Sequence, residues 1–340
     1  MNKTVKNKKS NRLSIREIAK IAGVSPTTVS FVLNNRGGEF GISESTCERI
    51  REVVRQHNYR QNIHGRAIMA RKTFLIGVII HHFVSSFWNQ IIAGISSELT
   101  ANGYHMLIAE AGNDLQKEQE AFEYMSSIGV DGIITALNFS PFNTDDITLP
   151  AYWHEQHVVN ILHPLPEIPS VFTDHRLGTE MIAQELWSKG HRKVAFLGRD
   201  TGDLSIRLNE NLRIFKDFYE ERNCTVELFE TPGDFLARRG DCTAVFCRRD
   251  SDAAQLYAAA YTAGLKIPEA FSVAGYGGDC NDWLLVHPKL TTVREGKEEL
   301  GVMAAKKLLA EINEKNSPDA PLHEALPPQF IAGASIKNLA

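Results

Sequence analysis

The 340-residue chain has little with which to cross-link itself, anchor itself in a bilayer or build a metal site. Its five cysteines, Cys47, Cys224, Cys242, Cys247 and Cys280, are odd in number and widely scattered. No CxxC pair occurs, which argues against a disulfide framework and a zinc site and leaves reduced, structural thiols. No apolar run approaches the ~18–20 residues that span a membrane. The first residues are polar and lysine-rich with no apolar segment behind them, so no secretory leader is legible. These absences set the expected location in the cytoplasm, with no membrane partner. Chemistry-bearing motifs are missing too: there is no GxSxG elbow, no phosphate-binding GxxxxGKS/T loop and no HExxH pair. Gly275-Tyr276-Gly277-Gly278 lacks the glycine spacing of a dinucleotide loop, and the HxxH at His154 and His157 reads as a loop pair rather than a metal site. The expectation is a protein that is not an enzyme and carries no cofactor.

What is present is a strong asymmetry of charge. The chain's net charge of −4 conceals it. Residues 1–72 hold 15 Lys+Arg against 5 Asp+Glu, and the remainder holds 22 against 36, so a head of +10 precedes a body of −14. A small basic head on an acidic body is the pattern of a nucleic-acid-binding unit. Within it, Leu13 to Asn34 reads LSIREIAKIAGVSPTTVSFVLN. Ser14 and Glu17 have the spacing of a capping box. Ile15, Ile18, Ala19 and Ala22 recur at helical spacing, and Gly23 suits a helix stop with positive φ. Ser25-Pro26 starts a second helix, a capping hydroxyl followed by proline where no N–H is needed. Val29, Val32 and Leu33 then face the first helix, leaving Pro26, Thr27, Thr28, Ser30 and Phe31 facing outwards. The unit is two short helices joined by a tight turn, suited to a DNA groove; the alternative is an ordinary helical hairpin.

The order along the chain follows. Residues 1–12 read as a disordered basic arm, and 13–60 as the helical head, with a third helix beginning at Ser43. Residues 61–72 have little apolar surface and include Gly65, so they read as a hinge that is helical only when held. From residue 73 to 338 apolar strands alternate with helices. FLIGVII, HMLIAEA, GVDGIITA, His157 to Leu162, KVAFLG, TAVFC and FSVAGYG are the strands. That alternation predicts parallel sheets covered on both faces, arranged as two subdomains. The first takes about 73–172 and 293–320, the second about 173–292 and 321–338. Ligands of such sheets sit beyond the carboxyl ends of the strands.

In this order, IAKIAGVSPTTVSFVLN, YRQN with GRAI, LIGVII, VDGII, GHRKVAFLG, GLKIPEAFSVAGY and HPKLTTVREGKEELG resemble the lactose-repressor/galactose-repressor family of bacterial transcription regulators. The resemblance runs from about Leu13 to the C-terminus. It implies a helix-turn-helix head, a hinge helix and a body similar to periplasmic sugar-binding proteins. It further implies a homodimer on a palindromic duplex operator, a small-molecule effector in the body's cleft, and repression as the usual outcome. Activation, or regulation without a small ligand, remains the alternative. The C-terminus has no apolar heptads, so a tetramer-forming bundle is not expected.

By the same resemblance Pro26, Thr27 and Phe31 stand at base-reading positions. Thr28, Ser30, Asn34, Thr46, Tyr59 and Asn62 stand where phosphates are contacted, Ser25 joins them in the DNA-binding set, and Arg66 and Ile68 lie in the hinge, Ile68 where a leucine wedge is usual. Phe31 departs from the family, which carries an arginine suited to guanine. Two apolar readers, Pro26 and Phe31, predict A·T-rich contacts; the alternative turns Phe31 into the head's own core. Gln61 and Gly65 replace proline and alanine, which raises the cost of ordering the hinge.

The effector candidates implied are His81, Phe87, Trp88, Asp174, Arg207, Asn211, Arg249 and Asp250. His81 could instead cap, and Phe87 and Trp88 could instead be core or dimer interface. Several of the family's polar anchors are missing: Asn211 replaces an arginine, Gly277 an aspartate, and Leu162 an acidic residue. The bidentate grip on sugar hydroxyls is lost with them. A sugar or sugar derivative is still the expected effector; Arg207, Arg248 and Arg249 would suit an anion, but the commoner reading of such a cluster is a solvated surface.

Overall fold

In the computed structural model the chain divides into two compact units, Met1–Thr73 and Phe74–Ala340. The structure describes residues 13–59, 72–83, 86–112, 114–136, 153, 156–198, 206–278, 286–313 and 321–340, with the backbone alone at 86, 115 and 206–209. The expected arm over 1–12 and all of the expected hinge but Lys72 lie outside the described residues.

The first unit is built on α1 (Ile15–Ala22), α2 (Pro26–Leu33) and α3 (Glu44–Gln56). Ser14 caps α1 reciprocally. Its hydroxyl accepts from the Glu17 N–H at 3.3 Å, and its own N–H donates to the Glu17 carboxylate at 2.6 Å. That N–H, together with the Ser14 hydroxyl donating to the same carboxylate at 2.8 Å, holds the Glu17 carboxyl below its ordinary range. Gly23 ends α1 in the left-handed region, φ 68°, as its position requires. Ser25 caps α2 through the Thr28 N–H at 3.1 Å, with Pro26 in the first turn. Helices of eight residues do not stand alone in water. Here Ile18, Ala19, Ala22, Val29, Val32, Cys47 and Ile50 close over one another and hold all three. At roughly 1.5–3 kcal/mol for each fully buried Val or Ile, that core outweighs helix propensity.

The second unit has two parallel sheets. The first is ordered β11 (His323–Leu326), β5 (Ser170–Thr173), β4 (Val158–Ile161), β3 (Gly132–Thr135), β1 (Leu75–Ile80), β2 (His105–Glu110). The second is ordered β7 (Val226–Phe229), β6 (Val194–Leu197), β8 (Ala244–Cys247), β9 (Ser272–Ala274). A short antiparallel ribbon, β10 (Thr292–Arg294) with β12 (Gln329–Ile331), joins the second half. The helices are α4 (Ser86–Ala101), α5 (Leu115–Ile128), α6 (His175–Ser188), α7 (Ile206–Glu220), α8 (Pro232–Arg238), α9 (Asp250–Thr262) and α10 (Lys297–Ile312). Ile76, Val78 and Ile80 of β1 are buried with Ile91 and Ile95 of α4 and Leu300 and Leu308 of α10, while Ile79 packs among residues of the opposite face. A strand covered on both sides has no polar face to show, which is why LIGVII is apolar throughout.

One sequence assignment needs correction. The sequence pattern puts 321–338 wholly in the second half, yet β11 pairs in parallel with β5 in the first sheet. HEAL is an edge strand with alternate residues exposed, so it carries no apolar run to announce it. The helix α6 starts at His175, where Asp174 caps it through the Leu177 N–H at 2.9 Å. Among the described residues the chain therefore passes between halves at 173–175, 294–297 and 326–329. No helix of the described residues is long and apolar enough to cross a membrane.

Candidate nucleic-acid interface and effector cleft

On α2, Ser25, Pro26 and Thr27 are exposed, and Thr28 and Phe31 are half-buried. The Ser25 and Thr28 hydroxyls lie 2.8 Å apart, so both are oriented by the cap before any ligand arrives. Thr46 is placed in the same manner at the start of α3, 2.9 Å from the Ser43 hydroxyl. Ser30 departs from expectation. It is 9% exposed. Asn34, one turn on, donates its side-chain N–H to the Ser30 carbonyl at 2.9 Å and covers the hydroxyl. Tyr59 packs half-buried against the head core, and burial pushes its phenol up from the ordinary value. Asn62, Arg66 and Ile68 lie outside the described residues.

Phe31 follows neither expectation alone. It is absent from the head's core cluster and instead stacks on Phe40, centroids 3.7 Å apart and planes 9° from parallel. Phe40 is 47% exposed. The sequence reading missed Phe40, which is nine residues from Phe31 across a loop.

In the body, four of the polar effector candidates, His81, Asp174, Asn211 and Asp250, are engaged within the protein. His81 follows β1 and hydrogen-bonds through Nε2 to the Ala136 carbonyl. Asp174 is the α6 cap. The buried Asn211 accepts from the Thr179 hydroxyl at 3.1 Å. Asp250 is fully buried and accepts from the Thr292 hydroxyl at 2.6 Å. Arg249 is exposed at the start of α9. The side chain of Arg207 lies outside those described. Trp88 is buried in the first sheet's core, which is the core alternative, with its ring 5.3 Å from that of His81. Phe87 is half-buried and meets Trp88 edge-on at 5.4 Å.

A buried polar cluster that sequence reasoning did not assemble begins at Phe87. The Lys297 ammonium lies 5.5 Å from the Phe87 centroid and 3.9 Å from the Glu295 carboxylate. The other Glu295 oxygen is 3.8 Å from His175 Nδ1, which is 3.1 Å from the Tyr276 hydroxyl. All four polar residues are buried. His175, Glu295 and Lys297 stand at two of the crossings between halves. The clue in the sequence is REGKEE, charges of both signs that begin at the last residue of β10. Glu118, also missed, lies in the first turn of α5, 8% exposed, and accepts from the Thr135 hydroxyl at 2.8 Å. Burial pushes its carboxyl up to about 7, the Thr135 bond opposing. Among the described residues no group of three or more His, Cys, Asp or Glu is arranged to hold a metal ion.

Comparison with known proteins covers nearly the same span. Residues 14–62 match the family described as bacterial regulatory proteins, lacI family. Residues 73–209 match periplasmic binding proteins and sugar binding domain of LacI family, and 183–336 match a periplasmic binding protein-like domain. The ribose operon repressor of Haemophilus influenzae is 28% identical over 320 residues, 89% of this chain and 93% of that protein. The HTH-type transcriptional repressor PurR of Vibrio cholerae is 26% identical over 343 residues, 96% of this chain and 98% of that protein. The lac repressor dimer bound to operator and the anti-inducer ONPF superposes with TM-score 0.81 at 20% identity, over 96% of this chain and 100% of that one.

Proposed function

From the premise that this chain belongs to the lacI family of bacterial regulatory proteins, we propose how this DNA-binding transcriptional regulator, which is not an enzyme, does its work. It is a repressor that binds a palindromic duplex operator as a homodimer in the cytoplasm. Each head lays α2 in the major groove, where Pro26, Thr27 and Phe31 meet base edges. Ser25, Thr28, Asn34, Thr46 and Tyr59 meet phosphates or orient the groups that do, and Asn62, Arg66 and Ile68 act at the hinge. The observation that carries this is the capped α1–α2 pair, with an exposed face on α2, inside a unit of net charge +10. Phosphate contacts supply affinity and the base edges supply choice.

Selection of random duplexes by the purified chain in dilute salt tests the reading. The expected product is a palindrome with A·T pairs opposite Pro26 and Phe31. Enrichment of no sequence would sink the proposal, and an obligatory guanine opposite Phe31 would sink its readout.

We further propose a small-molecule effector, a sugar or sugar derivative, between the halves of the body. Arg249, exposed at the start of α9, and the half-buried Phe87 are the candidates put forward to meet it. The relatives' names, ribose operon repressor and lac repressor, support a carbohydrate. A second reading, control without a small ligand, is favoured by one observation: Asn211, Asp250, His81 and Asp174 are all bonded inside the protein. A thermal-shift screen against sugars, sugar phosphates, acids and nucleobases separates the two. A bound effector raises the melting point by mass action; no shift at millimolar concentration favours the second reading.

A further inference from the structure

The loop after α2 is built to present one aromatic ring. Gly37 is buried, and a Cβ there would lie 2.7 Å from the Cys47 sulfur, so the loop backbone sits directly on the head core. Two backbone bonds close the turn, Ile42 N–H to the Gly37 carbonyl at 2.9 Å and Gly41 N–H to Gly38 at 3.2 Å. Gly41 takes φ 65°, a conformation few other residues adopt at ease. This closed turn holds Phe40 outside the core and against Phe31. Arg36, paired with Glu39 at 2.8 Å, lies 5.0 Å from the Phe40 centroid. Phe31 lies one turn after Thr27 on α2, so the stack shares a helix face with Thr27 and has a cation next to it, in the basic unit of an otherwise acidic chain.

We infer that the Phe31–Phe40 stack is a reader of pyrimidine 5-methyl groups in the major groove, and that Phe40 is a second specificity-determining residue. The inference rests on the DNA-binding reading above. Charge complementarity selects the occupant: a +10 head meets a polyanion, and the apolar group a major groove displays is the thymine methyl. A stacked pair is stiffer than a lone phenylalanine, so less side-chain freedom is lost on contact. One chemical consequence is that 5-methylcytosine, which carries the same methyl at the same ring position, substitutes in part for thymine.

The test uses the full chain and the duplex obtained by selection, with binding followed by fluorescence anisotropy. Replacing thymine with deoxyuracil, one position at a time, weakens binding about fourfold at one or two positions per half-site, the worth of one buried methyl. At those positions cytosine is weak, and 5-methylcytosine recovers part of the loss. Phe40→Ala abolishes the uracil penalty at one position or more, whereas Phe40→Leu keeps most of it; thermal melting confirms that both variants fold. If Phe40→Ala binds too weakly to measure, its series is repeated in more dilute salt, where phosphate contacts bind more tightly, and is read by the same criterion. Uracil tolerated everywhere, or every uracil penalty kept in Phe40→Ala, overturns the inference while leaving the DNA-binding reading intact. A wild-type chain that prefers no duplex overturns that reading and this one together.

Discussion

Glu118 shows how one buried carboxyl can tie the stability of the body to pH. Its partner, the Thr135 hydroxyl, donates one hydrogen bond, too little to offset removal from water, so the carboxyl rises to about 7. In the unfolded chain it titrates near its ordinary value of 4.5. The folded state therefore holds the extra proton between those values. That contribution is complete below about pH 4.5 and is lost as pH rises through about 7, on the order of 2–3 kcal/mol in all. Glu118→Gln keeps an acceptor for Thr135 and carries no charge. We expect it to unfold at higher urea than the wild type at pH 8 and at nearly the same urea at pH 5. Burial also pushes Glu311 up to about 7, and it holds His191 below its ordinary value, so the wild-type profile is composite. The difference between wild type and Glu118→Gln isolates this one group. A difference that stays constant from pH 5 to 8 would show that Glu118 does not titrate in that window.

At the scale of elements, the tightest contact in the body is α4 against α10. A Cβ on Gly94 would lie 2.0 Å from the Glu298 carbonyl oxygen, and one on Gly301 would lie 2.1 Å from that of Ile91. The two helices thus touch backbone to backbone, with each glycine under a turn of the other helix. Alanine gains roughly 1 kcal/mol of helix propensity, but here it must push two helices apart, which costs about 1–3 kcal/mol or more. Gly94→Ala and Gly301→Ala should lower the melting temperature. Gly233→Ala on α8, where a Cβ meets nothing within 4 Å, should leave it unchanged or raise it. A rise in all three would mean that the helices do not pack this closely. The same contrast explains what the sequence could tell. The apolar stripe of α10, Leu300, Ala304, Ala305, Leu308 and Ile312, is legible in the spacing; that its partner is α4 is not. Strands covered on both faces announce themselves as runs, as LIGVII and VAFL do. VELF, HEAL and QFI are short and part-exposed, and have no such signal. In the head the caps and the turn follow from residues three or four apart, so they are readable. Ser30 is not, because counting along a helix gives its face, not the Asn34 that closes over it. Phe40 and the cluster of His175, Tyr276, Glu295 and Lys297 depend on packing across loops and across the two halves, which no local pattern encodes.

For the molecule as a whole, the governing fact is that a head of +10 and a body of −14 share one chain. A duplex draws the head and repels the body, so the field itself biases the encounter towards α2. Two kinds of residue then contribute in separable ways. Cations that meet phosphates release counterions, and each neutralised phosphate adds about −0.9 to the slope of log K against log salt. They carry no base information. Apolar readers release no ions and carry the base information. Residues 1–12 hold Lys3, Lys6, Lys8, Lys9 and Arg12. Removing residues 2–12 is expected to flatten the salt slope by about 1 for each phosphate that the arm neutralises in the intact chain, while the ratio of selected to random duplex affinity stays the same. Phe31→Ala is expected to do the opposite, lowering that ratio with the slope unchanged. Titrations of both variants at about 50, 100 and 200 mM salt, a range over which phosphate binding changes steeply, read the two quantities independently on selected and random duplexes. A truncation that keeps the full slope would mean that the arm does not reach the phosphates. A Phe31→Ala variant that loses slope instead of preference would mean that the ring holds the head's cations in place and does not read bases.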